Sequence, residues 1–238
     1  MAPLTMIIDA ALDPAEIATL PARDLSATTC VVFDVLRATS SMITALAHGV
    51  AEILPVRTIE EAFALRSQIP GALLGGERDG EKPEGFDFGN SPLEYRDSPG
   101  ARIVWTTTNG TIALRACEHA GRVLVGALLN LDAIAAALRS TGHVLLVCAG
   151  THETLALEDV CAAGHLAALF PGSELTDAAR TARALAQAFP EPLDALRESR
   201  NGRRLIEVGR GAEVEWCARR SAYSIAAALD GSVVRAIP

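Results

Sequence analysis

Apolar positions in this chain form short continuous runs, separated by longer segments in which they recur every three or four residues. The runs at 4–8, 29–34, 52–56, 72–75, 102–106, 122–125 and 143–148 predict strands, several of them apolar nearly throughout. That is the pattern of a parallel sheet covered on both faces. Helical spacing fills 40–48, 58–68, 110–119 and 131–139 between them. Thr58-x-x-Glu61 is a capping box that marks one helix start. The alternation predicts an α/β fold of three layers, α/β/α, around a largely parallel central sheet. Beyond Cys148, Ala and Leu dominate at helical spacing over 155–189, and 191–229 also reads as helical. The C-terminal third, 155–238, is therefore expected as helices packed on the sheet without strands of its own. No linker breaks the chain, so 1–238 is read as one domain.

Composition narrows the partners. Half the residues are apolar but only 4% are aromatic, so the core must be built from Ala, Leu, Val and Ile. A formal charge of −8 argues against a nucleic-acid partner, whose phosphates call for clustered Lys and Arg. Cys30, Cys117, Cys148, Cys161 and Cys217 form no C-x-x-C pair and most lie in apolar runs. Reduced core thiols in a cytoplasmic protein are the expectation. No basic-then-apolar leader appears, and no apolar stretch reaches the roughly 20 residues that cross a bilayer, so no membrane partner is expected. The Ala/Leu-rich helical surface leaves a homodimer as the default assembly.

Four strand ends carry polar clusters, where α/β sheets bind their ligands. The first is Asp34-x-x-Arg37-x-Thr39-Ser40-Ser41, a carboxylate at the tip of an apolar run followed by an arginine and three hydroxyls. Such a strand-to-helix junction can hold a divalent cation and a phosphate side by side. The second is the long loop from Gly75-Gly76-Glu77-Arg78 to Phe88-Gly89-Asn90-Ser91-Pro92, in which Glu77 is the best-placed acid and Arg78 can reach an anion. The third, Thr106-Thr107-Thr108-Asn109-Gly110-Thr111, presents small residues and backbone N–H groups at a helix start. The fourth is Cys148-Ala149-Gly150-Thr151-His152, followed by Glu158-Asp159, of which only one carboxylate is expected to face a site. Each also has a plain reading as a capped helix start or a solvated loop.

Absent motifs exclude several chemistries. The residue two after Asp34 is Leu36, so no Asp-x-Asp phosphatase motif is present; six residues separate Cys30 from Arg37, one too many for a cysteine phosphatase loop. Neither G-x-x-x-x-G-K-[ST] nor G-x-G-x-x-G occurs, which removes the usual cradles for ATP and dinucleotides. Acids and anion-binding groups together favour Mg²⁺-assisted chemistry on a small, highly anionic phosphorylated substrate.

Taken in order, Asp34-Val35-Leu36-Arg37-Ala38-Thr39, Leu74-Gly75-Gly76-Glu77-Arg78, Gly85-Phe86-Asp87-Phe88-Gly89-Asn90-Ser91-Pro92, Thr106-Thr107-Thr108-Asn109-Gly110-Thr111 and Cys148-Ala149-Gly150 resemble the 2-phosphosulfolactate phosphatase family, the ComB-like proteins of coenzyme M biosynthesis. The stretch Ser199-Arg200-Asn201-Gly202-Arg203-Arg204-Leu205 is similar as well. The resemblance implies an α/β/α fold particular to that family, a Mg²⁺ requirement, and hydrolysis of (R)-2-phospho-3-sulfolactate to 3-sulfolactate and phosphate. Asp34, Glu77 and one of Glu158 or Asp159 are expected at the metal, with Asp34, Arg37 and Glu77 catalytic. Arg37, Thr39, Ser40, Arg78, Asn90, Thr107, Thr108, Asn109 and Gly110 are expected at the substrate. Asp34 is read as a metal ligand in preference to a nucleophile. Rival readings are a Mg²⁺-dependent lyase or isomerase and a non-catalytic binder of phosphorylated metabolites.

Overall fold

The computed structural model describes residues 5–237. Its first half alternates strand and helix as β1 (Ile7–Ala11), α1 (Pro14–Ile17), β2 (Thr29–Phe33), α2 (Ala38–Ala47), β3 (Glu52–Pro55), α3 (Ile59–Gln68), β4 (Leu73–Gly76) and β5 (Arg102–Thr106). Then come α4 (Gly110–Ala116), β6 (Arg122–Gly126), α5 (Leu131–Leu138), β7 (His143–Cys148), α6 (Leu157–Ala168), β8 (Glu174–Leu175) and α7 (Asp177–Ala188). The chain ends with α8 (Pro192–Glu198), α9 (Arg200–Glu207), α10 (Gly211–Cys217), β9 (Ala226–Asp230) and β10 (Val233–Ile237). The α/β architecture expected from the sequence is therefore present. The expected strand at 4–8 starts instead at Ile7 and runs to Ala11, and Leu4 lies outside the described residues.

Among the described residues ten strands join one sheet in the order β4-β5-β3-β10-β9-β6-β2-β7-β1-β8. Two parallel blocks, β4-β5-β3 and β6-β2-β7-β1-β8, flank the β9–β10 hairpin, which is antiparallel to both. The blocks consequently run in opposite hydrogen-bonding senses. Strand twist of roughly 20–25° per step, over the six steps from β2 to β4, amounts to about 120–150°. That rotation turns the two blocks toward a common direction, and the residues that follow β2 and β4, Asp34 and Glu77, line one cleft.

The hairpin, together with the two-residue β8, corrects the expectation that the C-terminal third holds no strands. Ala226–Leu229 is buried on every residue because it sits mid-sheet between helical layers, so it shows no alternation. Its alanines mimic helix composition, yet they suit a strand squeezed between two covered faces. The Gly231-Ser232 dipeptide is the legible sign: Gly231, at φ 60°, takes the first place of a two-residue turn between Asp230 and Val233.

Alternate residues of β2 feed different cores. Val31 and Phe33 pack with α5 to α10, whereas Cys30 and Val32 pack with α2 and α4. This two-sided burial is why the run is apolar throughout. Thr58 caps α3 as anticipated, its Oγ1 accepting from Glu61 N at 3.1 Å, while Glu61 reaches back to Arg57 N.

Candidate active site

The turn after β2 holds Asp34 in place through its own backbone. Thr39 Oγ1 accepts from Asp34 N and donates to Asp34 O, at 3.1 and 3.0 Å. Asp34 Oδ1 accepts from Ala38 N at 3.1 Å, inside the first turn of α2. Oδ2 is left over, and it lies against Gly110 at the start of α4: a Cβ on Gly110 would come within 2.6 Å of it. The Leu36–Arg37 peptide that follows is cis. Arg37 is buried; its Nη1 pairs with Glu213 Oε2 of α10 at 2.6 Å and its Nη2 donates to Gly80 O at 3.1 Å.

Glu77 enters from β4. Gly76 precedes it at φ 127°, pressed so closely on Thr106 that any side chain there would strike the Thr106 carbonyl. Glu77 Oε1 accepts from Thr108 N at 2.7 Å; Oε2 accepts from Gly80 N at 2.7 Å and Thr108 Oγ1 at 3.0 Å. Those three bonds leave lone-pair capacity on a carboxylate with about four acceptor sites. Asn109 ties this loop to the one after β7, donating to Ala149 O and His152 O and accepting from His152 N.

These contacts enclose one cleft of about 130 Å³, and Asp34, Arg37, Glu77, Asn90, Thr108 and Asn109 all line it. Asn90 Oδ1 is buried there without a hydrogen-bond partner among the described residues. Other anticipated residues sit elsewhere. Thr39 and Ser40 are fully buried and spend their hydroxyls on Asp34 and Val35 backbone oxygens. Thr107 is exchanged with Thr111, each hydroxyl accepting the other's N–H, which closes the first turn of α4. Arg78 turns to Thr106 Oγ1 at 2.8 Å. Asp159 lies behind the Asp34 turn, its two oxygens accepting from Val35 N at 2.7 Å and Gly150 N at 3.0 Å. Glu158 Oε1 accepts from Asn201 Nδ2 at 2.6 Å. Neither member of that acidic pair lines the cleft.

One wall of the cleft lies outside the four strand-end clusters singled out in the sequence. Asn201, Arg204 and Arg210 line it, from α9 and the turn before α10. Arg204 Nη2 donates to Asp79 O at 3.1 Å and Arg210 Nη1 to Gly80 O at 3.3 Å. With Arg37, three guanidinium groups thus grip the carbonyls of one short loop. The first two residues lie in a run noticed only for its family likeness, and Arg210 and Glu213 carried no local signal at all.

Burial sets the electrostatics. It pushes the Asp34 carboxyl up to about 7, with the charges of Glu77 and Glu158 adding to the rise, while the Ala38 N–H and Arg37 oppose it. Glu158 is raised by burial against the pull of Asn201. Asp159 is held well above the carboxylate range by burial and by the neighbouring charges of Glu158 and Asp34. Among the described residues no three His, Cys, Asp or Glu side chains converge as a ready-made metal site.

A cleft with two buried carboxylates, Asp34 and Glu77, faced by guanidinium groups at loop ends of an α/β sheet is suited to phosphoester chemistry. Comparison with known proteins agrees. The family model described as 2-phosphosulpholactate phosphatase matches residues 16–231. A Thermotoga petrophila protein named "Probable 2-phosphosulfolactate phosphatase" is 38% identical over 216 residues, covering 90% of this chain and 94% of its own. Proteins of the same name from Carboxydothermus hydrogenoformans and Deinococcus radiodurans are 44% and 42% identical, covering 79% and 80% of this chain and 81% and 83% of theirs. The chain belongs to the 2-phosphosulfolactate phosphatase family, and with it to the phosphoric monoester hydrolases. Among the described residues no helix is long and apolar enough to cross a membrane.

Proposed function

We propose that this protein hydrolyses (R)-2-phospho-3-sulfolactate to 3-sulfolactate and phosphate in the Asp34 cleft, with Mg²⁺ as its cofactor. The observation that carries the reading is the meeting of Asp34, Glu77 and Arg37, from separate segments, around one cavity. The donor set fits the cation: two carboxylates and the unpartnered Asn90 Oδ1 are all hard oxygen ligands. Mg²⁺ is commonly held by one or two carboxylates, with waters and substrate phosphate oxygens completing the shell, so a third acidic side chain is not required. Asp34 and Glu77 would hold it, and when bound it supplies charge neutralisation at the phosphoryl oxygens.

The chain's own groups account for the rest. Arg37 keeps N–H groups to spare beyond those given to Glu213 and Gly80, and these face developing negative charge on the phosphoryl group. Because Glu213 and the Gly80 carbonyl fix both ends of the guanidinium, little reorganisation accompanies the reaction. Thr108 and Asn109 hold the opposite wall, where the Thr108 bonds to Glu77 keep that carboxylate turned inward. In the net reaction water adds to phosphorus, the P–O bond to C2 of sulfolactate breaks, and the departing oxygen takes up a proton.

Phosphate release from a panel of phosphorylated three-carbon acids, with and without Mg²⁺, tests this. Release from phosphosulfolactate that vanishes on chelation is expected. Turnover without inorganic phosphate would instead point to a lyase or isomerase.

A further inference from the structure

Helix α9 carries Arg200, Arg203 and Arg204 at a spacing that lays them along one face. With His152, Asn201 and Glu207 they line a shallow groove. The groove opens directly beside the Asp34 cleft, and Thr151, His152, Asn201 and Arg204 line both. Asn201 forms the partition, its Nδ2 donating at 2.6 Å to both Thr151 Oγ1 and Glu158 Oε1.

Arg200 stands three and four positions before Arg203 and Arg204, like-charge spacings that oppose helix formation. Among the described residues none of the three makes an ion pair with a carboxylate. Arg203 donates to the Glu198 carbonyl and Arg204 to the Asp79 carbonyl. Each guanidinium has five N–H donors, so most remain free. The three guanidinium groups outnumber the groove's one carboxylate, Glu207, and their weakly hydrated planar form suits a weakly basic anion with several acceptor oxygens.

We propose that this groove is the subsite for a sulfonate carried by the substrate, while the phosphoryl group of the same molecule occupies the Asp34 cleft. The proposal rests on the phosphatase reading above and adds to it the residues that select the far end of the ester. Arg200 and Arg203 are the specificity residues, and Arg204, which lines both spaces, bridges them.

The test compares (R)-2-phospho-3-sulfolactate with 2-phospholactate, which lacks only the sulfonate, in the wild type, Arg200→Gln, Arg203→Gln and the double variant. We expect kcat/KM for the sulfonated ester to fall at least tenfold further than for 2-phospholactate, mostly through KM. Equal losses on both esters, or none on either, would overturn the subsite. Calorimetric titration of 3-sulfolactate needs no turnover and should weaken at least tenfold in the double variant; an unchanged affinity also overturns it. A wild type that releases no phosphate from either ester would sink the phosphatase reading, and the titration would still decide the subsite.

Discussion

Nη1 of Arg37 lies 2.6 Å from Oε2 of Glu213, and both side chains are buried. A helix from the C-terminal third thereby supplies the counter-charge for an arginine of the β2–α2 turn. The pair couples the fold of the distal helices to the shape of the cleft.

Removing one partner leaves the other as an uncompensated buried charge, a loss of about 3–5 kcal/mol. Glu213→Ala should therefore lower the urea midpoint sharply. Arg37→Met with Glu213→Leu should recover much of that stability but not the phosphatase activity, because the guanidinium is gone. A double variant as unstable as the worse single one would refute the assignment. Arg37→Ala, which leaves Glu213 buried without its partner, should lose stability likewise and, where still folded, raise KM or lower kcat/KM.

Asp34→Asn separates chemistry from folding. Mg²⁺-dependent phosphate release should disappear while the circular dichroism spectrum is kept. Stability at pH 8 should hold or rise, since the ionised carboxyl is disfavoured in its buried setting. Near-normal turnover by this variant would remove Asp34 from the metal. Acid-quenched enzyme that retains labelled phosphate on Asp34 would make it the nucleophile.

Much of this arrangement was legible along the chain, for definite reasons. The β2, β5 and β7 runs announce themselves because both faces of each are covered, and Asp34 and Glu77 follow directly on strand tips, with Thr108 two residues beyond the end of β5. The β9–β10 hairpin was hidden by its alanines. Thr39, Ser40 and Thr107 looked like ligand hydroxyls because sequence shows composition, not direction; each is spent on local backbone or on Thr111. Arg204, Arg210 and Glu213 were out of reach for a different reason. Their place at the cleft comes from contacts such as Arg37–Glu213, separated by 176 positions, which no local spacing records.

The Asp34 carboxyl, raised to about 7 from a usual value of 3.8, fixes the sign of a pH effect. Over that interval the unfolded chain releases this proton and the folded one keeps it. The group's contribution to stability is therefore full below about pH 4 and lost as pH rises through 7. A cation at Asp34 must displace the same proton. Mg²⁺ affinity should fall about tenfold per pH unit below 7 and level off above it. Thermal melts at pH 5, 6, 7 and 8, each with and without Mg²⁺, should show a metal-induced rise that grows with pH and then saturates. A rise of the same size at every pH would mean that Asp34 does not bind the ion.

Gly110 offers the sharpest steric test. An added Cβ would meet Asp34 Oδ2 at 2.6 Å and the Ala38 side chain at 2.7 Å, and both belong to a tightly bonded turn with little freedom to retreat. Gly110→Ala should push the free oxygen of Asp34 away from the cleft, lowering kcat by about tenfold to a hundredfold, as small misplacements of reacting groups do. Stability should change by only about 1–3 kcal/mol, the ordinary cost of overpacking. Gly142→Ala serves as the control, because nothing lies within 4 Å of a Cβ there, and its activity should match the wild type. Steady-state phosphate release beside urea denaturation of both variants decides the matter. If Gly110→Ala kept full activity, the close approach to Asp34 would have no part in holding the carboxylate for catalysis.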